Sequence, residues 1–239
     1  MGEHPEATAS EARFSPTCLR GHRQRLRDRF SDASAQPLTD RELLELILSR
    51  AISRRREVRQ LADALLSRFG TFADVVAAPR VRLGKVEGLR EEAIWELKLM
   101  EAAARRFARA PLEKRPVVGS SVKVVDYCRT LMAYAEREEF RVLFLDKRHR
   151  LIADELHSVG TVDCVYVYPR EVVRRALELA ASGLVLAHCH PSGDPTPSSL
   201  DVDTTHQIVA LAQSFGIQVR DHVIIGREGH ASLKALGLI

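Results

Sequence analysis

The stretch His188-Cys189-His190-Pro191-Ser192-Gly193-Asp194-Pro195-Thr196-Pro197-Ser198-Ser199-Leu200-Asp201 follows the almost wholly apolar run Gly183-Leu184-Val185-Leu186-Ala187. A short apolar run of this kind predicts a central strand buried on both faces. Successive side chains of a strand face opposite ways, so His188 and His190 project together and Cys189 points away. The Pro/Gly/Ser loop 191–197 then leads into a helix from about Ser198 to Phe215, closed by Gly216. Asp201 falls in the first turn of that helix, within reach of the two imidazoles. The carboxyl end of a sheet strand is where open α/β sheets place their ligands.

Working outward, Ile217 to Ile225 supplies the next strand. Upstream, Phe140 to Leu145 reads as a strand, Asp146 to His149 as a polar turn and Arg150 to His157 as the returning strand. Val162 to Tyr168, rich in Val and Tyr, predicts a further strand. Pro169 sits at a helix N1 position ahead of REVVRRALELAAS. Ser120 or Ser121 caps a helix to about Ala135. Helices interleaved with strands make residues 117–239 an α/β domain with a mixed sheet.

The first half reads as helix throughout. Thr39-Asp40-Arg41-Glu42 is a capping box before LLELILSR, whose Leu43, Leu44, Leu46 and Ile47 form an apolar face. Val58, Leu61, Leu65, Leu66 and Phe69 repeat that pattern up to Gly70, a helix-ending glycine. Thr71 starts a short helix ending near Ala78-Pro79. Glu91 to Ala110 is a long amphipathic stretch with Ile94, Leu97, Met100, Ala104 and Phe107 inward. Short connections between helices predict an all-α helical bundle. The expected division is therefore a flexible tail at 1–19, the bundle at 20–110, a charged Pro-bounded linker at 111–116 and the α/β domain at 117–239.

The 239 residues are 45% hydrophobic and 28% charged, which excludes a wholly disordered or collagen-like chain. No window approaches about 18 consecutive apolar residues, so no membrane span is expected. The N-terminus lacks the apolar core of a secretory signal. Cys18, Cys128, Cys164 and Cys189 form no CxxC pair, which fits a reducing compartment, and a cytoplasmic location is expected. Residues 1–116 carry 23 Lys/Arg against 17 Asp/Glu, and residues 117–239 carry 13 against 15. The basic half suits either an anionic polymer or a solvated charged surface.

Two neutral imidazoles and a carboxylate suit a zinc ion (Zn2+), and three protein ligands leave a fourth position open for water. Such a site lowers the pKa of its water to about 7. The metal set is thus His188, His190 and Asp201. Glu155, on the returning strand, is the candidate proton carrier, and Ser198 the candidate donor to a developing oxyanion. Each feature also has a plainer reading. The histidines could be a satisfied buried pair, Ser198 and Asp201 a helix cap, and Glu155 a surface glutamate. What packing does not ask for is their conjunction. HExxH, the CxxC of zinc deaminases and HxHxDH are all missing from the chain.

The spacing H-x-H-x7-S-x2-D with an upstream Glu resembles the JAMM (JAB/MPN+) metalloprotease signature. PREVVRRAL, HCHPSGDPTPSSLD, Gly160-Thr161-Val162 and Asp221-His222-Val223-Ile224-Ile225-Gly226 are similar to the bacterial RadC family, long labelled DNA-repair proteins. The resemblance runs from about residue 21 to the C-terminus. It implies a cytidine-deaminase-like α/β/α domain binding one zinc ion, with His188, His190 and Asp201 as ligands, Glu155 as general acid/base and Ser198 as oxyanion donor. It implies hydrolysis of a peptide or isopeptide bond. The chain departs from the family at Cys189, where Asn is usual.

The helical half resembles the family's N-terminal region, with a helix-hairpin-helix element at Leu83-Gly84-Lys85-Val86-Glu87-Gly88-Leu89-Arg90-Glu91-Glu92-Ala93. Hairpin glycines of this motif let main-chain N–H groups approach a DNA phosphate. Gly88 is present, but Arg90 stands where the second glycine belongs. Both DNA binding and a purely structural hairpin remain open, and so does a DNA-associated repair or recombination role with a non-hydrolytic metal site.

Overall fold

The structure, a computed structural model, describes residues 16–32, 34–114 and 122–239. The chain divides into two units, 1–97 and 98–239.

In the first unit Thr39 and Glu42 form the expected capping box. The Thr39 hydroxyl accepts from the Glu42 N–H at 3.3 Å, and the Glu42 carboxylate accepts from the Thr39 N–H at 2.9 Å. Such a cap is worth about 1 kcal/mol. Thr71 and Asp74 repeat the device. The elements are α1 (Pro16–Ser31), α2 (Asp40–Ala51), α3 (Arg55–Phe69), α4 (Phe72–Ala77), α5 (Arg80–Leu83) and the first part of α6 (Glu91–Lys114). Leu44, Ile47 and Leu48 of α2 meet Leu61 and Leu65 of α3 and Ile94 and Leu97 of α6 in one core. The hairpin between α5 and α6 forms with Arg90 in place. Gly88, at φ +79°, makes the left-handed turn, and the Arg90 carbonyl already accepts the first α6 bonds from Ala93 and Ile94.

Two expected boundaries shift. Residues 16–19, read as tail, are the start of α1, while 1–15 lie outside the described residues. α6 runs on through the expected linker to Lys114, with 115 and 116 outside the described residues. Pro111 forfeits one main-chain hydrogen bond, but its neighbour Leu112 is 2% exposed in the core of the second unit, which offsets that cost. Met100, Ala104 and Phe107 are exposed, and Ala108 and Leu112 are the α6 residues that pack inward there.

The second unit continues with α7 (Val122–Met132), β1 (Glu139–Leu145), β2 (Leu151–Val159), α8 (Pro169–Glu178), β3 (Gly183–Cys189), α9 (Ser199–Ser214), β4 (Gln218–Ile225) and β5 (His230–Ser232). The sheet order is β2-β1-β3-β4-β5, mixed as expected. β3 and β4 are parallel, joined through α9, and every other neighbouring pair is antiparallel. All of β3 is buried, as its apolar run predicts. One sheet face packs on α7, through Val124, Cys128 and Met132 against Leu143, Val185 and Val223. The other packs on α8 and α9, through Val172, Ala176 and Ile208 against Val142, Leu184 and Leu186.

Residues 162–168 are not a strand. Val165 and Val167 pack inward and Tyr166 and Tyr168 face out, so the alternation is present. The segment pairs its main chain with no neighbouring strand, and the Ser158 hydroxyl bonds the Tyr166 carbonyl at 2.7 Å instead.

Candidate metal centre

β3 delivers its two histidines to one point. His188 is the sixth strand residue and His190 follows the strand's end, with its N–H bonded to the Ile225 carbonyl at 2.9 Å. Cys189 turns to the α7 face, where burial pushes its thiol up to about 12. It is not a ligand, as strand alternation requires. The loop after His190 is fastened by an Asp194 carboxylate that accepts the Thr196 N–H and hydroxyl at 2.9 and 2.7 Å. The same residue's carbonyl lies 2.8 Å from His190 Nδ1. A carbonyl only accepts, so His190 Nδ1 carries the proton and Nε2 of the neutral ring carries a lone pair.

The loop also needs Gly226. A Cβ at this residue would lie 2.0 Å from the Gly193 carbonyl oxygen, so only glycine lets the β4 exit and the histidine loop come together.

Ser198 caps α9, with its hydroxyl 2.7 Å from Asp201 Oδ2 and 3.2 Å from the Asp201 N–H. The cap swings the Asp201 carboxylate back over the strand end. Asp201 Oδ1 lies 3.2 Å from His188 Nε2, Asp201 Oδ2 lies 3.5 Å from His190 Nε2, and the two Nε2 atoms are 3.0 Å apart. The helix cap of Ser198-x-x-Asp201 is therefore present, and it is what brings the Asp201 carboxylate beside the two imidazoles. Burial disfavours the Asp201 carboxylate, but the imidazoles of His188 and His190, when protonated, and the Ser198 hydroxyl outweigh it and hold the carboxyl far below the usual range. The Asp201 carboxylate favours the protonated form of His190 and so raises its imidazole.

His188, His190 and Asp201 form a group able to hold a metal ion. His188 is buried and the other two are half-buried. Phe140 packs its ring on His188, with centroids 6.3 Å apart, and meets His222 edge-on at 5.5 Å. A pocket of about 250 Å³ opens onto His190 and Asp201, with Val162, Cys164, Val165, Pro191 and Leu200 among its lining.

The structure does not bring Glu155 to this group. In the sheet, Phe140 of β1 pairs with His188 of β3, whereas Glu155 pairs with Val142, two residues along, on the far side of β1. Its carboxylate is bound through both oxygens by Arg175 of α8 at 2.7 to 3.1 Å, and those bonds lower its pKa. The carboxylate at the centre is that of Glu138. It precedes Phe140 by two residues and lines the pocket with His190, Ser198 and Asp201. Its main chain is pinned by bonds of 2.8 Å to Thr161 and Gly160. Burial raises the Glu138 carboxyl, against the lowering effect of His188 and His190. Sequence reading missed Glu138 because its proximity follows from the antiparallel pairing of β1 with β3, which no local pattern shows.

A mixed sheet with helices on both faces, and a His-His-Asp donor set where its central strand ends, is the architecture of a JAB-type α/β domain. The family model described as RadC-like JAB domain matches residues 118–238, and the chain belongs to that family. Among the described residues no helix is long and apolar enough to cross a membrane.

Proposed function

We propose that this chain is a zinc-dependent hydrolase of amide bonds, acting on a peptide or isopeptide. The observation that carries the reading is the spacing of the donors beside a buried carboxyl. Four ligands at zinc–ligand distances of about 2.0 to 2.1 Å lie about 3.3 Å apart at the corners of a tetrahedron. Here the two Nε2 atoms are 3.0 Å apart, and each has an Asp201 oxygen nearby, Oδ1 at 3.2 Å from His188 and Oδ2 at 3.5 Å from His190. Bound there, zinc would supply Lewis acidity and an acidified water. His188 and His190 would hold it through Nε2, and Asp201 through a carboxylate oxygen.

The remaining chemistry falls to the chain's own groups. Glu138, with its carboxyl raised by burial, is suited to take a proton from water and return it to the leaving amine. It takes the role expected of Glu155. Ser198 is suited to donate to the developing oxyanion once its hydroxyl leaves Asp201. The pocket walls offer Val162, Val165 and Leu200 to a substrate side chain.

Metal analysis of the purified chain tests this reading, together with hydrolysis assays on α-linked and ε-linked lysyl peptides. Stoichiometric zinc and cleavage that a chelator abolishes are the expected results. A chain that binds no zinc overturns the proposal.

A second reading, a DNA-associated factor, is favoured by one observation. A groove of about 930 Å³ in the helical unit is lined by Arg23, Arg27, Arg54 and Arg56, and the one acid among its described lining residues, Glu45, is already bound to His22 and Arg41. Contacts to phosphate predict duplex binding that weakens steeply with salt. No binding at low ionic strength would remove this reading.

A further inference from the structure

Behind the donor set a buried chain of hydrogen bonds ends on the main chain. His188 Nδ1 lies 2.7 Å from His222 Nε2. His222 Nδ1 lies 2.6 Å from Thr205 Oγ1, which lies 2.5 Å from the carbonyl oxygen of Asp201. His188, Thr205 and His222 are all at most 1% exposed, so bulk solvent does not reach them.

The protons along this chain are countable. A carbonyl only accepts, so the one hydroxyl proton of Thr205 lies between Oγ1 and the Asp201 oxygen; without it two oxygens would face each other lone pair to lone pair at 2.5 Å. Thr205 Oγ1 therefore accepts from His222, and His222 Nδ1 donates. A neutral imidazole has no second ring proton, so His222 Nε2 accepts and His188 Nδ1 donates. The lone pair of a neutral His188 is then at Nε2, the atom that faces His190 and Asp201. The reverse polarity would put an N–H in the middle of the donor set.

We propose that Thr205 and His222 are positioning residues that hold His188 as its Nδ1–H tautomer and so present Nε2 to a metal ion. Asp201 then acts twice, as a ligand through its carboxylate and, through its carbonyl, as the origin of the polarity that prepares His188. The proposal rests on the reading of the cluster as a metal centre, but its first readout needs no metal.

The experiment uses the full chain, metal-free and labelled with ¹⁵N-histidine. Two-bond proton–nitrogen correlation spectra above the histidine titration range report the tautomer of each ring. Wild type is expected to show His188 as Nδ1–H. Thr205→Val keeps the shape and removes the hydroxyl, freeing His222 to donate through Nε2, so His188 is expected to switch to Nε2–H. Zinc affinity, measured by competition with a chromophoric chelator, is expected to fall about 10- to 100-fold. Thr205→Ser restores both readouts, and Thr205→Ala replaces the valine variant if that one does not fold. An unchanged tautomer, or wild-type zinc affinity in the variant lacking the hydroxyl, overturns the proposal. Wild type that binds no zinc while the tautomer still switches upholds the relay and sinks the metal-centre reading instead.

Discussion

His188 Nε2 and His190 Nε2 face each other at 3.0 Å, and when both rings are neutral the Nδ1 contacts of the two residues leave these nitrogens without a proton. Two aligned lone pairs at that distance repel, and the Asp201 carboxylate adds negative charge beside them. A cation between the three turns that repulsion into three bonds.

From this follows the response to metal removal. Ligand-linked stabilisation amounts to about 4 kcal/mol when free ion exceeds Kd by roughly a thousandfold. Chelation should lower the unfolding temperature of the second unit and zinc should restore it. His190→Ala should melt at the same temperature with or without zinc.

Glu138 and Glu155 separate in mutation. Glu138→Gln should retain zinc and lose hydrolysis by about 100-fold or more, the range of a general acid/base group. Glu155→Gln breaks only the contact with Arg175 and should leave turnover close to wild type. The reverse pattern would return the proton to Glu155.

Gly226→Ala should loosen the histidine loop. The added Cβ would stand 2.0 Å from the Gly193 oxygen, and neither main-chain segment yields freely. Overpacking of this kind costs about 1 to 3 kcal/mol. Differential scanning calorimetry and zinc titration should show loss of stability together with weaker metal binding, while the helical unit melts as before.

In the helical unit the cap on α2 sets a dependence on acid. The Thr39 N–H, with Arg29 and the Thr39 hydroxyl, lowers the Glu42 carboxyl below its ordinary value. A depressed folded-state pKa stabilises above the unfolded value, and that contribution disappears as pH falls through the folded one. Glu42→Gln should therefore melt lower than wild type at neutral pH, with the gap closing on acidification. Thr39→Ala should cost about 1 kcal/mol at neutral pH. Melting curves at several pH values check both.

Much of this molecule was legible from local pattern. The apolar run before His188 identified β3, alternation separated Cys189 from the histidines, and Thr39-x-x-Glu42 marked a helix start. Period and capping are properties of neighbouring residues, so they survive in one dimension. The tyrosines and valines of 162–168 misled for the same reason: alternation reports which side chains are buried, but not whether the main chain finds a partner strand.

The sequence by itself determined the donor set, because His188, His190 and Asp201 lie within one strand–loop–helix unit whose local geometry turns them together. Tertiary structure alone decided which carboxylate joins them and which groups stand behind them. Glu138 reaches the centre by the pairing of β1 with β3, and His222 reaches His188 by the parallel pairing of β4 with β3. Strand partners and their register are set by long-range packing of the two sheet faces, an energy that no window of neighbouring residues contains.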